Sequence, residues 1–235
     1  MRRNSFLDYV KKKAINSKDF IIHKRKIFFK DNLSEDIFLN RVINFIESNV
    51  PEELFQYIDY FIIGDFNSFK EREINALYHE GVIYISNIQE DEQDLIDDII
   101  HELAHSIEKN QKGLIYGGVS LESEFHSRRM KLYQKLLDEG FNEVRKMKDK
   151  FSNPEYDSDF DFFIYENIGY ENIRKYASSI FVTPYAVTSL EEYFATGFEY
   201  YFLKSRKKLR EVSPYLFSVI ERIYEELVGK RREYI

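Results

Sequence analysis

Cysteine and tryptophan are absent from this chain, and proline and glycine are sparse, at four and nine of 235 residues. Without a thiol there is no disulfide and no thiolate ligand, so any metal must be held by imidazole and carboxylate. Gly and Pro punctuate short elements and leave no flexible linker, low-complexity tract or internal repeat. No apolar run approaches bilayer-spanning length. Met1 to Lys13 is basic and amphipathic, without the continuous apolar stretch of a secretion signal. The expectation is a soluble, cytoplasmic protein with no membrane partner, export by a route without a signal being left open. A net charge of −7 opposes a general nucleic-acid role. The two basic clusters, Lys204 to Arg210 and Lys230 to Arg232, read as solvated helix ends, so no nucleic-acid partner is expected.

What is present suits a globular core: 43% hydrophobic and 32% charged residues, with 21 Phe and 18 Tyr. Ile21 to Lys30 reads as a strand region, Ser34 to Ser48 as a helix capped by Ser34, and Asp59 to Phe66 as a buried strand. Asn75 to Ser86 alternates around Gly81 as a strand or hairpin. From Asp91 the pattern turns helical. Leu95, Ile96, Ile99, Ile100, Leu103, Ala104 and Ile107 recur at helical spacing behind an acidic first turn. A second long helical stretch carries Phe125, Tyr133, Leu136, Leu137, Phe141, Val144 and Met147, with Gly140 a break. The chain after Ser189 is helical again. The expected fold is α+β, a small mixed sheet followed by a mainly helical C-terminal half.

The chemistry concentrates in His101-Glu102-Leu103-Ala104-His105. Residues four apart on a helix differ by about 40° and one turn, so the two imidazoles project together and can grip one ion. Glu102 lies about 100° round from His101, near the ion but free to act as a base. Zinc with two His, one further protein ligand and an open position lowers the pKa of its water to about 7, and the neighbouring carboxylate can take that proton as the water attacks a carbonyl. The pattern therefore points to zinc-dependent peptide hydrolysis. For the third ligand, Glu108 sits too close on the same helix and suits a supporting role instead. Glu122, Glu124 and His126 compete with Glu191 and Glu192. The last two open a helix in which Glu192, Ala195 and Glu199 share a face, and Glu192 is the preferred ligand.

Glu192-Tyr193-Phe194-Ala195-Thr196-Gly197-Phe198, downstream of the His101 to His105 motif, resembles the glutamate-ligand segment of the anthrax lethal factor catalytic domain and the Pro-Pro endopeptidases. The resemblance implies a zincin-like fold, Zn²⁺ held by His101, His105 and Glu192, Glu102 as general base, and Tyr185, seven residues before Glu192, as oxyanion stabiliser. An acidic residue at the position of Glu108 also matches. Ala76 to Ser86 looks like the family's edge strand, which implies a peptide or protein substrate bound by strand addition near Val82 to Ser86. Clear matches cover about a quarter of the chain. Residues 106–191, about twice the family's spacing, separate His105 from Glu192. One zincin-like domain over 1–235, with a helical insertion at about 114–175, accounts for the excess.

Asp157, Asp159 and Asp161 open like a calcium loop, but Phe162 and Ile168 stand where Gly and Glu are required, so a solvated turn is expected. His23 and His79 read as structural or exposed residues. Two other functions stay open: a zinc-stabilised binding protein without turnover, and a toxin-like effector protease acting on one protein. Retention of Glu102 weighs against the first, since a closed structural site needs no base.

Overall fold

A computed structural model describes residues 20–72, 74–118 and 120–229, so the expectations for Met1 to Lys13 and for Lys230 to Arg232 lie outside the described residues. The chain divides into two units at Asn110 and Gln111.

The first unit opens with β1 (Phe20–Ile22) and β2 (Arg25–Phe29). They pair antiparallel through a two-residue turn in which His23 and Lys24 both have positive φ, the geometry that matches strand twist. Helix α1 (Leu39–Asn49) then crosses to β3 (Tyr60–Gly64), which pairs parallel with β2. Phe61, Ile62 and Ile63 are fully buried, as a strand covered on both faces demands. After α2 (Asn67–Arg72), β4 (Ala76–His79) and β5 (Val82–Ser86) form a second hairpin. Its turn is Glu80-Gly81, again with both φ positive, and a side chain on Gly81 would strike the Asp59 carboxylate. The sheet order is β1-β2-β3-β5-β4.

That order corrects the expected substrate edge. Val82 to Ser86 is an inner strand, parallel to β3 on one side and antiparallel to β4 on the other. Among the described residues the free edge next to it is β4, Ala76–His79. The physical reason is burial: Val82, Ile83 and Ile85 are all buried, so both faces of β5 are covered, whereas His79 on β4 is exposed.

Helix α3 (Glu92–Asn110) packs on β4, β5 and α1. Its start is fixed by the Asp91 carboxylate, which accepts from the backbone N–H of Gln93 at 2.7 Å and of Asp94 at 3.0 Å. All seven apolar residues of its expected stripe are buried. The first helix begins later than its Ser34 cap suggested, at Leu39 behind Phe38. Ser34 instead turns the chain, its carbonyl accepting from Ile37 at 3.2 Å.

The second unit is helical: α4 (Lys112–Tyr116), α5 (Ser120–Asp138), α6 (Lys148–Ser152), α7 (Ser158–Phe162), α8 (Tyr170–Ala177), α9 (Leu190–Leu203), α10 (Arg206–Val212) and α11 (Pro214–Val228). Gly140, at φ +93°, breaks the long stripe, leaving Phe125, Tyr133 and Leu136 buried on α5 and Val144 buried on a separate short turn. Helices α9 and α11 approach closely where Gly197 faces Leu216, and a Cβ at Gly197 would collide with that side chain. The small mixed sheet followed by a mainly helical half is the α+β fold expected.

Candidate metal centre

Helix α3 turns His101 and His105 toward one another, one turn apart, with their Nε2 atoms 3.2 Å apart and their rings edge-on. Two nitrogens bound tetrahedrally to one zinc at about 2.0–2.1 Å would stand about 3.3 Å apart, so the pair has the spacing zinc requires. His101, Glu102 and His105 each offer a ligand atom within 4.8 Å of the others, a group that could hold a metal ion. With imidazole and carboxylate donors and no sulfur, zinc fits as the cofactor.

The outer support of His105 is present. Its Nδ1 donates to Glu108 Oε2 at 3.3 Å, and Glu108 is only 4% exposed. Placing the proton on Nδ1 leaves the Nε2 lone pair for a metal. Glu108→Ala is expected to weaken zinc binding by about 10–100-fold, read by competition with a chromophoric chelator. Unchanged affinity would remove Glu108 from the site.

Glu102 is also buried, and its Oε2 accepts a short hydrogen bond from the backbone N–H of Tyr78 on the outer strand β4. In an antiparallel hairpin with a two-residue turn, the residue pair next to the turn is hydrogen-bonded and the following pair points its N–H and C=O outward. Tyr78 opposite Ile83 is such an outward pair. The Glu102 carboxylate therefore touches the outer edge of the sheet at Tyr78.

One turn before the histidines, Asp98 accepts from Gln89 Nε2 at 3.0 Å. Burial pushes its carboxyl up to about 6, the Gln89 bond and His101 pull it down, and the charges of Glu102 and Asp94 raise it. Since the folded pKa lies above the unfolded 3.8, protonated Asp98 stabilises the fold fully below about pH 3.8, and that stabilisation is lost as pH rises through about 6. The shift corresponds to up to about 3 kcal/mol. Asp98→Asn should therefore gain stability over the wild type as pH rises, by about 2–3 kcal/mol between about pH 4 and about pH 7.5. Urea unfolding of the metal-free proteins measures this, and a pH-independent difference would contradict it.

The other two expected site residues lie in the second unit. Ser189 caps α9, its Oγ accepting from the Glu192 N–H at 3.1 Å, which sets Glu192 in the first helical turn. Tyr185 opens the short turn just before, and Thr188 Oγ1 donates to its carbonyl at 2.9 Å. Burial, then the negative charges of Glu192 and Asp161, push the Tyr185 phenol well above its ordinary value, so it remains a donor across the neutral range. Asp161 also faces Glu192, whose charge adds to burial in raising the Asp161 carboxyl, while the Tyr156 hydroxyl donates to it at 3.2 Å and pulls it down. The neighbouring Asp157 caps α7 and, with Asp159, pairs with Lys150, so this acidic run is a helix start and not a calcium loop.

Glu124 is taken up elsewhere. It accepts from Arg128, from the Tyr193 hydroxyl at 3.1 Å and from the N–H groups that open α11. Glu122, Glu191 and His126 are exposed. His23 has a structural place, its Nε2 lying 2.8 Å from the Val50 carbonyl oxygen and its ring against Phe55.

Residues 79–225 match the family model described as glucose-regulated metallo-peptidase M90. No curated protein and no solved structure matches the chain. The match begins within the β4–β5 hairpin and takes in His101, Glu102, His105, Tyr185 and Glu192, so the metallopeptidase expectation holds; the narrower likeness to lethal factor is no part of it.

Proposed function

The chain belongs to the glucose-regulated metallo-peptidase M90 family, and on that premise we propose that it is a zinc-dependent endopeptidase whose His101 and His105 hold the metal and whose Glu102 is the general base. The observation that carries this reading is the coupling of metal group and sheet edge in one unit. The facing imidazole nitrogens have zinc spacing, and the carboxylate between them in sequence bonds the outward N–H of Tyr78.

Bound zinc supplies Lewis acidity and a water of lowered pKa. Glu102 accepts a proton from the attacking water and returns it to the leaving amine. A substrate in extended form pairs with the outward groups of Ala76 and with the Tyr78 carbonyl, the Tyr78 N–H being held by Glu102, so its backbone runs past Glu102. Glu192 is the third ligand, and Tyr185 donates to the oxyanion. The lethal factor-like segment Glu192 to Phe198, the capped first turn that fixes Glu192, and the protonated Tyr185 beside it support these two roles. Residues 1–235 act as one catalytic domain in this proposal, with the helices of about 114–175 an insertion that shapes access.

The test is cleavage of an unbiased peptide library by the zinc-loaded protein. Cuts abolished by chelator and restored by zinc are expected. Their absence at stoichiometric zinc would leave a metal-binding protein without turnover.

A further inference from the structure

The second unit holds a cavity of about 390 Å³ that the peptidase reading does not use. Its apolar wall includes Val182 and Pro184, both half-buried, and its two charged residues are Arg174 on α8 and Lys208 on α10. Among the described residues no carboxylate lines it. Arg174 is exposed and Lys208 half-buried, so solvent reaches both. Among the described residues Arg174 has neither an ion pair nor a hydrogen-bond partner. Lys208 has no ion pair either, and its Nζ stands 5.8 Å from the Tyr200 ring centroid.

Two cations lining one cavity repel unless an anion stands between them, and in a chain of net charge −7 they make a local positive spot. The apolar wall selects further. A bare inorganic anion would leave that wall wet, whereas a carboxylate on a methylene stem covers it. A glutamate side chain has both parts.

The place of the cavity in the chain says which glutamate. Pro184 in its wall is joined to Tyr185, and consecutive Cα atoms stand about 3.8 Å apart. The turn carrying both is pinned: Thr183 Oγ1 accepts from the Ala186 N–H at 3.2 Å, and the Pro184 carbonyl from the Val187 N–H at 3.2 Å. An extended peptide advances about 3.3 Å per residue, so a side chain lodged here belongs within about three residues of the bond whose oxyanion Tyr185 takes. Resting on that reading of Tyr185, we propose that the cavity is a substrate subsite for a glutamate side chain, its carboxylate paired by Arg174 and Lys208 and its methylenes against Val182 and Pro184.

The probes are two decapeptide pools with the same fluorophore, randomised over uncharged residues around one central Glu or Gln. Both ends are blocked, which removes the terminal carboxylate as a source of binding. By anisotropy the zinc-loaded full chain is expected to bind the Glu pool about tenfold more tightly, and to cut it about tenfold faster within about three residues of the Glu. Arg174→Gln and Lys208→Gln, neither in the buried core, should each shrink that preference to about threefold, and Arg174→Glu should abolish it. Tighter binding of the Glu pool without any cleavage would uphold the subsite and sink the peptidase reading. Equal binding of the two pools, or a preference that no variant alters, would overturn the subsite even with cleavage intact.

Discussion

Glu102→Gln is expected to reduce peptide cleavage by about 10³–10⁴-fold while zinc content and fold stay unchanged. The amide has the shape of the carboxylate and still presents an oxygen to the Tyr78 N–H, so the link between α3 and the sheet edge survives. It cannot accept the proton that the reaction releases. His101 and His105 are untouched, and the supporting Glu108 is on the far side of His105 in sequence, so metal affinity has no reason to fall. Steady-state cleavage measured beside elemental zinc separates the outcomes. Retained zinc with lost turnover supports the assigned role. Full activity would show that another group takes the proton.

Glu192→Ala is expected to lower zinc affinity by more than about a hundredfold, beyond the range of a residue that only supports a ligand. The helix should survive the change. Its cap depends on the Glu192 backbone N–H and Ser189 Oγ, and removing one acidic side chain from the first turn costs about 0.3–1 kcal/mol. Glu191 remains in that turn and is exposed. Chelator competition on the purified variant reads the effect. Zinc held as tightly as in the wild type would move the third ligand to Glu191, Glu122 or His126, since Glu124 is committed to Arg128, Tyr193 and the start of α11.

Much of the metal helix was legible from residue spacing. The stripe from Leu95 to Ile107 has the period of a helix with one buried face, and the same period fixes His101 and His105 as neighbours one turn apart. Glu108 was legible for the same reason. The sheet edge was not, because alternation reports which strand faces are buried but not which strands lie beside them. A signal was present in Val82, Ile83 and Ile85: apolar residues on both faces mark an inner strand, and His79, exposed at the end of Ala76–His79, fits the outer one. The Tyr78 bond to Glu102 depends on that edge and was invisible without it. Asp161 lies far from Glu192 in sequence, and its run of alternating aspartates pointed to a turn, so nothing local revealed that the two carboxyls share surroundings. The Ser34 cap was misplaced because a turn-forming serine and a helix cap make the same local pattern, and only the packing of Leu39, Val42, Ile43 and Ile46 decides where the helix starts.

Zinc-edge X-ray absorption on the purified wild-type chain reads whether His101 and His105 hold one zinc with oxygen completing its shell. One tightly held zinc with two imidazole nitrogens at about 2.0–2.1 Å and oxygen donors beside them is expected. A shell built from oxygen alone, or a chain that keeps no zinc after dialysis, would contradict it.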